Sequence, residues 1–121
     1  MRVIKFRGKD LKTSEWVYGD LHALCDAPHI HTDKTSYPFA GKRSFVDVET
    51  IGQFIGLEDI NGKEVYEGDI IRLHRNEKYT YIVEWRDGCA EFIGRCQETE
   101  IGLANLNKRS EIEVIGNIYE E

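Results

Sequence analysis

The sequence predicts an all-β fold, and three observations carry the prediction. Residues 2–7 and 112–119 alternate apolar with polar side chains, the period-two mark of a half-buried strand. Asp87-Gly88 stands between runs rich in aromatic and β-branched residues, a signal for a tight hairpin. Asn61-Gly62 supplies a second turn, because both residues tolerate the positive φ of tight turns.

In chain order, the first strand places Ile4 and Phe6 on one face and Lys5 and Arg7 on the other. Residues 8–15 are turn-like, and Trp16-Val17-Tyr18-Gly19-Asp20-Leu21 reads as the second strand of an N-terminal β-hairpin. Residues 25–44 hold both prolines and little periodicity, and read as a long irregular loop with short strands near Tyr37–Phe39. Val46 to Phe54 returns to an extended pattern. Asp69–His74 follows Gly68 as a strand, and Tyr79–Arg86 is the next. With Asp87 and Gly88 as the turn, Trp85 pairs with Ala90, Val83 with Phe92 and Tyr81 with Gly94, leaving Glu84 and Glu91 on the opposite face. Residues 98–108 accommodate a short helical turn. In the closing strand, Ile112, Val114, Gly116 and Ile118 lie opposite Glu113, Ile115 and Asn117.

This order is that of a small SH3-like barrel over residues 60–121, preceded by the hairpin and the excursion in residues 1–59, within a single domain. The expected core is Ile4, Phe6, Trp16, Tyr18, Ile51, Ile70, Val83, Trp85, Phe92, Val114 and Ile118. Phe54, Ile55 and Leu57 form an apolar stretch in excess of one small core, which points to a homo-oligomer.

The 121 residues suit one domain, and 40% hydrophobic with 31% charged residues is a globular composition. A net charge of −6 argues against a protein that coats duplex DNA. Three cysteines, Cys25, Cys89 and Cys96, form no regular framework and suggest free thiols in a reducing compartment. The start alternates charge with apolar residues, unlike a signal peptide, so cytoplasmic residence is expected.

The segments Lys5-Phe6-Arg7, Trp16 to Leu21, Glu49 to Ile71 and Glu113 to Glu120 together resemble the YopX family of phage and prophage proteins. The resemblance spans nearly the whole chain apart from roughly 22–44 and 95–110. It implies a phage or prophage origin and a β-rich fold. It implies no reaction, and no catalytic residue is carried over from it.

His22, Cys25, His29 and His31 have side chains suited to zinc. His29-x-His31 is too close for the usual ligand pair, and no distant second half exists, so an ordinary polar loop is the better reading. Glu49, Glu58, Asp59, Glu64, Glu67 and Asp69 would serve a two-metal nuclease only if they converged, whereas acids beside Gly and Asn usually serve turns. Cys89 and Cys96 lie seven positions apart, on opposite sides of a regular strand, and neither has a neighbouring histidine to activate it.

Basic residues group at Arg2, Lys5, Arg7, Lys9 and Lys12, at Lys42-Arg43, and at Arg72-His74-Arg75-Lys78. Arg72, Arg75, Lys78 and Tyr79 are the candidate nucleic-acid contacts, since small barrels bind single strands through aromatics on a basic face. With no nucleophile–base pair and no phosphate-cradling loop, the expected function is a non-catalytic binding or scaffolding module without a cofactor. Its expected partners are copies of itself and a host or phage protein. A single-stranded nucleic-acid-binding barrel and a metal-dependent nuclease are the alternatives.

Overall fold

A computed structural model describes residues 4–22, 28–31, 43–73, 76–87, 91–96, 100–103 and 112–120. The described elements are β1 (Phe6–Lys9), β2 (Trp16–His22), β3 (His29–His31), β4 (Arg43–Phe45), a 3-10 turn (Val48–Thr50), β5 (Gly52–Glu58), β6 (Glu64–Tyr66), β7 (Asp69–Leu73), β8 (Asn76–Arg86), β9 (Glu91–Arg95), β10 (Glu100–Gly102) and β11 (Ile112–Asn117). The all-β expectation holds. The strands make two sheets, ordered β4-β3-β2-β1-β5-β6 and β10-β9-β8-β7-β11. The chain divides into two compact units, residues 1–54 and 55–121.

In the N-terminal unit, β1 and β2 form the expected hairpin, with Phe6 opposite Gly19 and Lys9 opposite Trp16. Its loop is held by Asp10, whose Oδ1 accepts from the amides of Lys12 (2.8 Å) and Thr13 (3.0 Å). These two amides, Lys12 first, hold the Asp10 carboxyl below its usual range. The expected irregular excursion contributes two strands: β3 pairs with β2, and β4 pairs with β3. The physical reason is Ile30, a β-branched residue that is fully buried between polar neighbours. Tyr37–Phe39 lies outside the described residues. The extended reading of 46–54 is interrupted by the 3-10 turn, capped by Asp47 accepting from the Glu49 amide. Thr50 Oγ1 ties that turn to β1, accepting from Lys9 N at 2.9 Å and donating to Asp47 O at 2.7 Å.

In the C-terminal unit, β7, β8 and β9 form an antiparallel meander, with β11 beside β7 and β10 beside β9. The expected closure into a barrel is corrected: β10 and β11 end an open order, and no pairing closes it among the described residues. Within 98–108, where a helical turn is expected, residues 100–102 form β10 and pair with β9, and Leu103 is in a 3-10 conformation. The hairpin register also differs. Trp85 pairs with Phe92 and Val83 with Gly94, with β8 reaching Arg86 and β9 starting at Glu91. The shift is by two residues, so each side chain keeps its predicted face.

The core of this unit is Val65, Ile71, Leu73, Tyr81, Val83, Phe92, Leu103 and Ile112. Of the expected core, Val83 and Phe92 are buried, whereas Ile4, Tyr18, Trp85 and Ile118 are exposed. Phe6, Trp16, Ile51, Ile70 and Val114 are half-buried. Two features of the strands bear on this. Strand β7 buries Asp69, Ile71 and Leu73, so Ile71 rather than Ile70 faces inward. Strand β11 carries a bulge between Val114 and Gly116, which leaves Ile115 exposed. Ile55 and Leu57, the motive for expecting a homo-oligomer, pack against this core.

Two buried aspartates organise the turns of this unit. Asp59 is 2% exposed. Its Oδ1 accepts from Asn61 N and Lys63 N, both at 2.9 Å, and its Oδ2 from Val114 N at 3.0 Å. Burial raises its pKa, but the amides of Val114, Lys63 and Asn61, with the Lys63 charge, outweigh that and hold it below the usual carboxylate value. Asp69 Oδ2 accepts from Tyr66 N at 2.8 Å. Between them Gly68, at φ +89°, passes so close to the Tyr119 ring that a Cβ would lie 2.8 Å from its Cε2.

Candidate ligand-binding face of the N-terminal sheet

Residues directly opposite in antiparallel strands project from the same face, and neighbours along a strand alternate. Arg7 lies opposite Tyr18, and Lys9 opposite Trp16. Asp20 lies opposite His31, and His22 opposite His29. His29 lies opposite Phe45, and His31 opposite Arg43. His31 apart, these residues, with Lys5 and Phe54 at the β1–β5 seam, therefore belong to one face of the N-terminal sheet. The other face carries Phe6, Gly8, Val17, Leu21 and Ile30, with the buried Val46 against Gly8.

Ring and cation contacts fill out the first face. The Arg7 guanidinium stands 4.4 Å from the Trp16 ring centroid, and Lys9 Nζ 5.4 Å from it. Lys5 Nζ is 5.6 Å from the Phe54 centroid. The His22 and His29 rings stack at 5.5 Å with 11° between their planes, and Phe45 meets His29 at 5.3 Å, tilted by 57°. Arg7 is 3% exposed, whereas Tyr18 and Phe45 are each 44% exposed. Arg7 thus braces Trp16 from beneath while Tyr18 and Phe45 offer ring surface to solvent.

The metal candidates separate accordingly. His22 and His29 come together as a stacked pair, while Cys25 and the side chain of His31 lie outside the described residues. Among the described residues, no three His, Cys, Asp or Glu side chains gather as metal ligands. Asp59 and Asp69 serve backbone amides, and Glu64 accepts from the Tyr66 hydroxyl at 2.9 Å. Cys96 is half-buried with a free thiol.

The candidate nucleic-acid group of the second half is not assembled as expected. Arg72 lies opposite Thr80, so Tyr79 projects from the other side of the sheet, toward the core. The Arg72 guanidinium donates to Glu113 Oε1 at 2.8 Å. Arg75 and the side chain of Lys78 lie outside the described residues.

Sequence reasoning assigned Trp16 and Tyr18 to the core and so missed this face. The alternation of Lys5, Arg7 and Lys9 was the available signal. What it lacked was the partner strands that line up Trp16, Tyr18, His22, His29 and Phe45 beside those cations.

An antiparallel two-sheet chain with this hairpin matches a known family. The profile described as YopX protein matches residues 5–121, and the chain belongs to the YopX family. Its fold is similar to the crystal structure of protein EF1440 from Enterococcus faecalis, with a TM-score of 0.61 and 26% identity. That likeness covers 99% of this chain and 96% of the other. No curated protein matches the chain. No helix among the described residues is long and apolar enough to cross a membrane.

Proposed function

We propose that this YopX-family chain is a non-catalytic binding module acting inside a phage-infected or lysogenic host cell, and that the basic, aromatic face of the N-terminal sheet is its binding surface. The observation that supports the reading is the register from β1 to β4, which lines up Lys5, Arg7, Lys9 and Arg43 with Trp16, Tyr18 and Phe45. Exposed ring surface such as that of Tyr18 and Phe45 is costly to leave in water, and rings beside cations suit a ligand with both flat and anionic surface. The acids with which a nuclease reading would begin, Asp59 and Asp69, are instead engaged by backbone amides.

Affinity capture from phage-infected cells tests the reading when run beside a Tyr18→Ser, Phe45→Ser double variant. Both side chains are exposed, and circular dichroism of the variant verifies its fold. The expected result is a macromolecule retained by the wild type and lost by the variant. Identical captures from both proteins, or divalent-cation-dependent cleavage of DNA or RNA by the purified chain, would overturn it.

A further inference from the structure

We infer that the ligand of this face is single-stranded nucleic acid, an assignment that rests on the binding role proposed above. Charge is the first argument. The chain as a whole carries −6. Yet over β1 to β4 the described face presents Lys5, Lys9 and Arg43, with Arg7 buried beneath Trp16, against the carboxylate of Asp20. The sign of the face is opposite to that of the molecule, which is the footprint expected of a surface built for a polyanion.

The second argument separates a single strand from other polyanions. Tyr18 and Phe45, each 44% exposed, and the His22–His29 stack form a discontinuous platform of rings across β2, β3 and β4. Unpaired bases stack on such rings irrespective of sequence, whereas duplex bases are shielded by their neighbours and their backbone. An acidic protein segment would use the cations but has no counterpart for the row of rings. Five strands at roughly 4.8 Å spacing give a width of about 19 Å from β4 to β5, room for a short stretch of strand. In the arrangement assigned here, bases stack on Tyr18 and Phe45 while Lys5, Lys9 and Arg43 meet phosphates. Arg7 holds the Trp16 ring in place from below.

The test is fluorescence anisotropy with labelled single-stranded DNA and RNA of about 20 nucleotides, long enough for the site sizes of such surfaces. A duplex of the same sequence and a poly-glutamate peptide are the competitors. The expected result is binding of the single strands at low salt, with a log–log salt slope of about −2 for three phosphate contacts. Tyr18→Ala and Phe45→Ala each weaken binding by about five- to 150-fold. Arg43→Gln flattens the slope by about 0.7. Circular dichroism of each variant verifies the fold.

Duplex binding as tight as that of the single strand would overturn the assignment. So would displacement by poly-glutamate with no effect of the two aromatic substitutions, since the ligand class would then be acidic protein. Failure of both oligonucleotides to bind at low salt overturns it as well. If face-dependent capture from infected cells persists in that case, only the ligand class falls. If capture is also insensitive to the double variant, the binding role falls with it.

Discussion

Asp59→Asn is the sharpest test of how the C-terminal unit is held together. The wild-type carboxylate joins the 59–63 turn to β11, across 55 residues of sequence, through the 3.0 Å bond from Val114 N. The asparagine oxygen can replace Oδ1, which accepts from Asn61 and Lys63. Its NH2 group cannot accept from Val114 N–H, so two donors face each other in a buried site. Hydrogen bonds to a charged group contribute about 1.5–3 kcal/mol, and an unsatisfied buried donor costs a similar amount. The substitution should therefore destabilise the unit by about 2–4 kcal/mol, a large share of ordinary domain stability. Urea unfolding followed by circular dichroism measures it, with the midpoint falling and the slope unchanged. Because the folded pKa is depressed, the carboxylate's contribution is fully present above the unfolded value of 3.8 and is lost as pH falls through the lower folded value. The wild type should lose stability on acidification below that value, and the variant should lose less over the same window. A midpoint change equivalent to less than about 0.5 kcal/mol, the range of an ordinary surface substitution, would refute the reasoning.

Gly68→Ala should cost about 2–4 kcal/mol in the same assay. It combines a positive φ of +89° with a Cβ 2.8 Å from the Tyr119 ring. Gly62→Ala, at φ +78° with nothing within 4 Å, should cost only the backbone strain of about 1–2 kcal/mol. Ile71→Ala should cost about 2–5 kcal/mol and Ile70→Ala clearly less, since Ile71 is fully buried and Ile70 lies on the opposite side of β7. Equal losses at the two isoleucines would contradict the inward face. Glu113→Gln removes a half-exposed ion pair with Arg72 and should cost no more than about 1 kcal/mol, by thermal or urea unfolding.

The sequence by itself determined the strand-rich character, the hairpin of β1 and β2, the Asn61-Gly62 turn and the family. These depend on local chemistry, namely period-two alternation and residues that tolerate positive φ, and local chemistry is written in neighbouring residues. The reading of acids beside Gly and Asn as turn residues fits Asp69, beside Gly68, which accepts from Tyr66 N. Only the tertiary structure decided which face of each strand is buried. Ile70 and Ile71 are chemically equivalent, and what separates them is whether the sheet turns Asp69, Ile71 and Leu73 inward. The same holds for Trp16 and Tyr18, whose bulk suggests a core but whose partners in β1 are Lys9 and Arg7. Phe45 and Arg43 join that face only because β3 draws β4 alongside β2, anchored by the buried Ile30. A face assembled from four strands depends on pairings between distant segments, and a linear pattern carries no record of which segments pair.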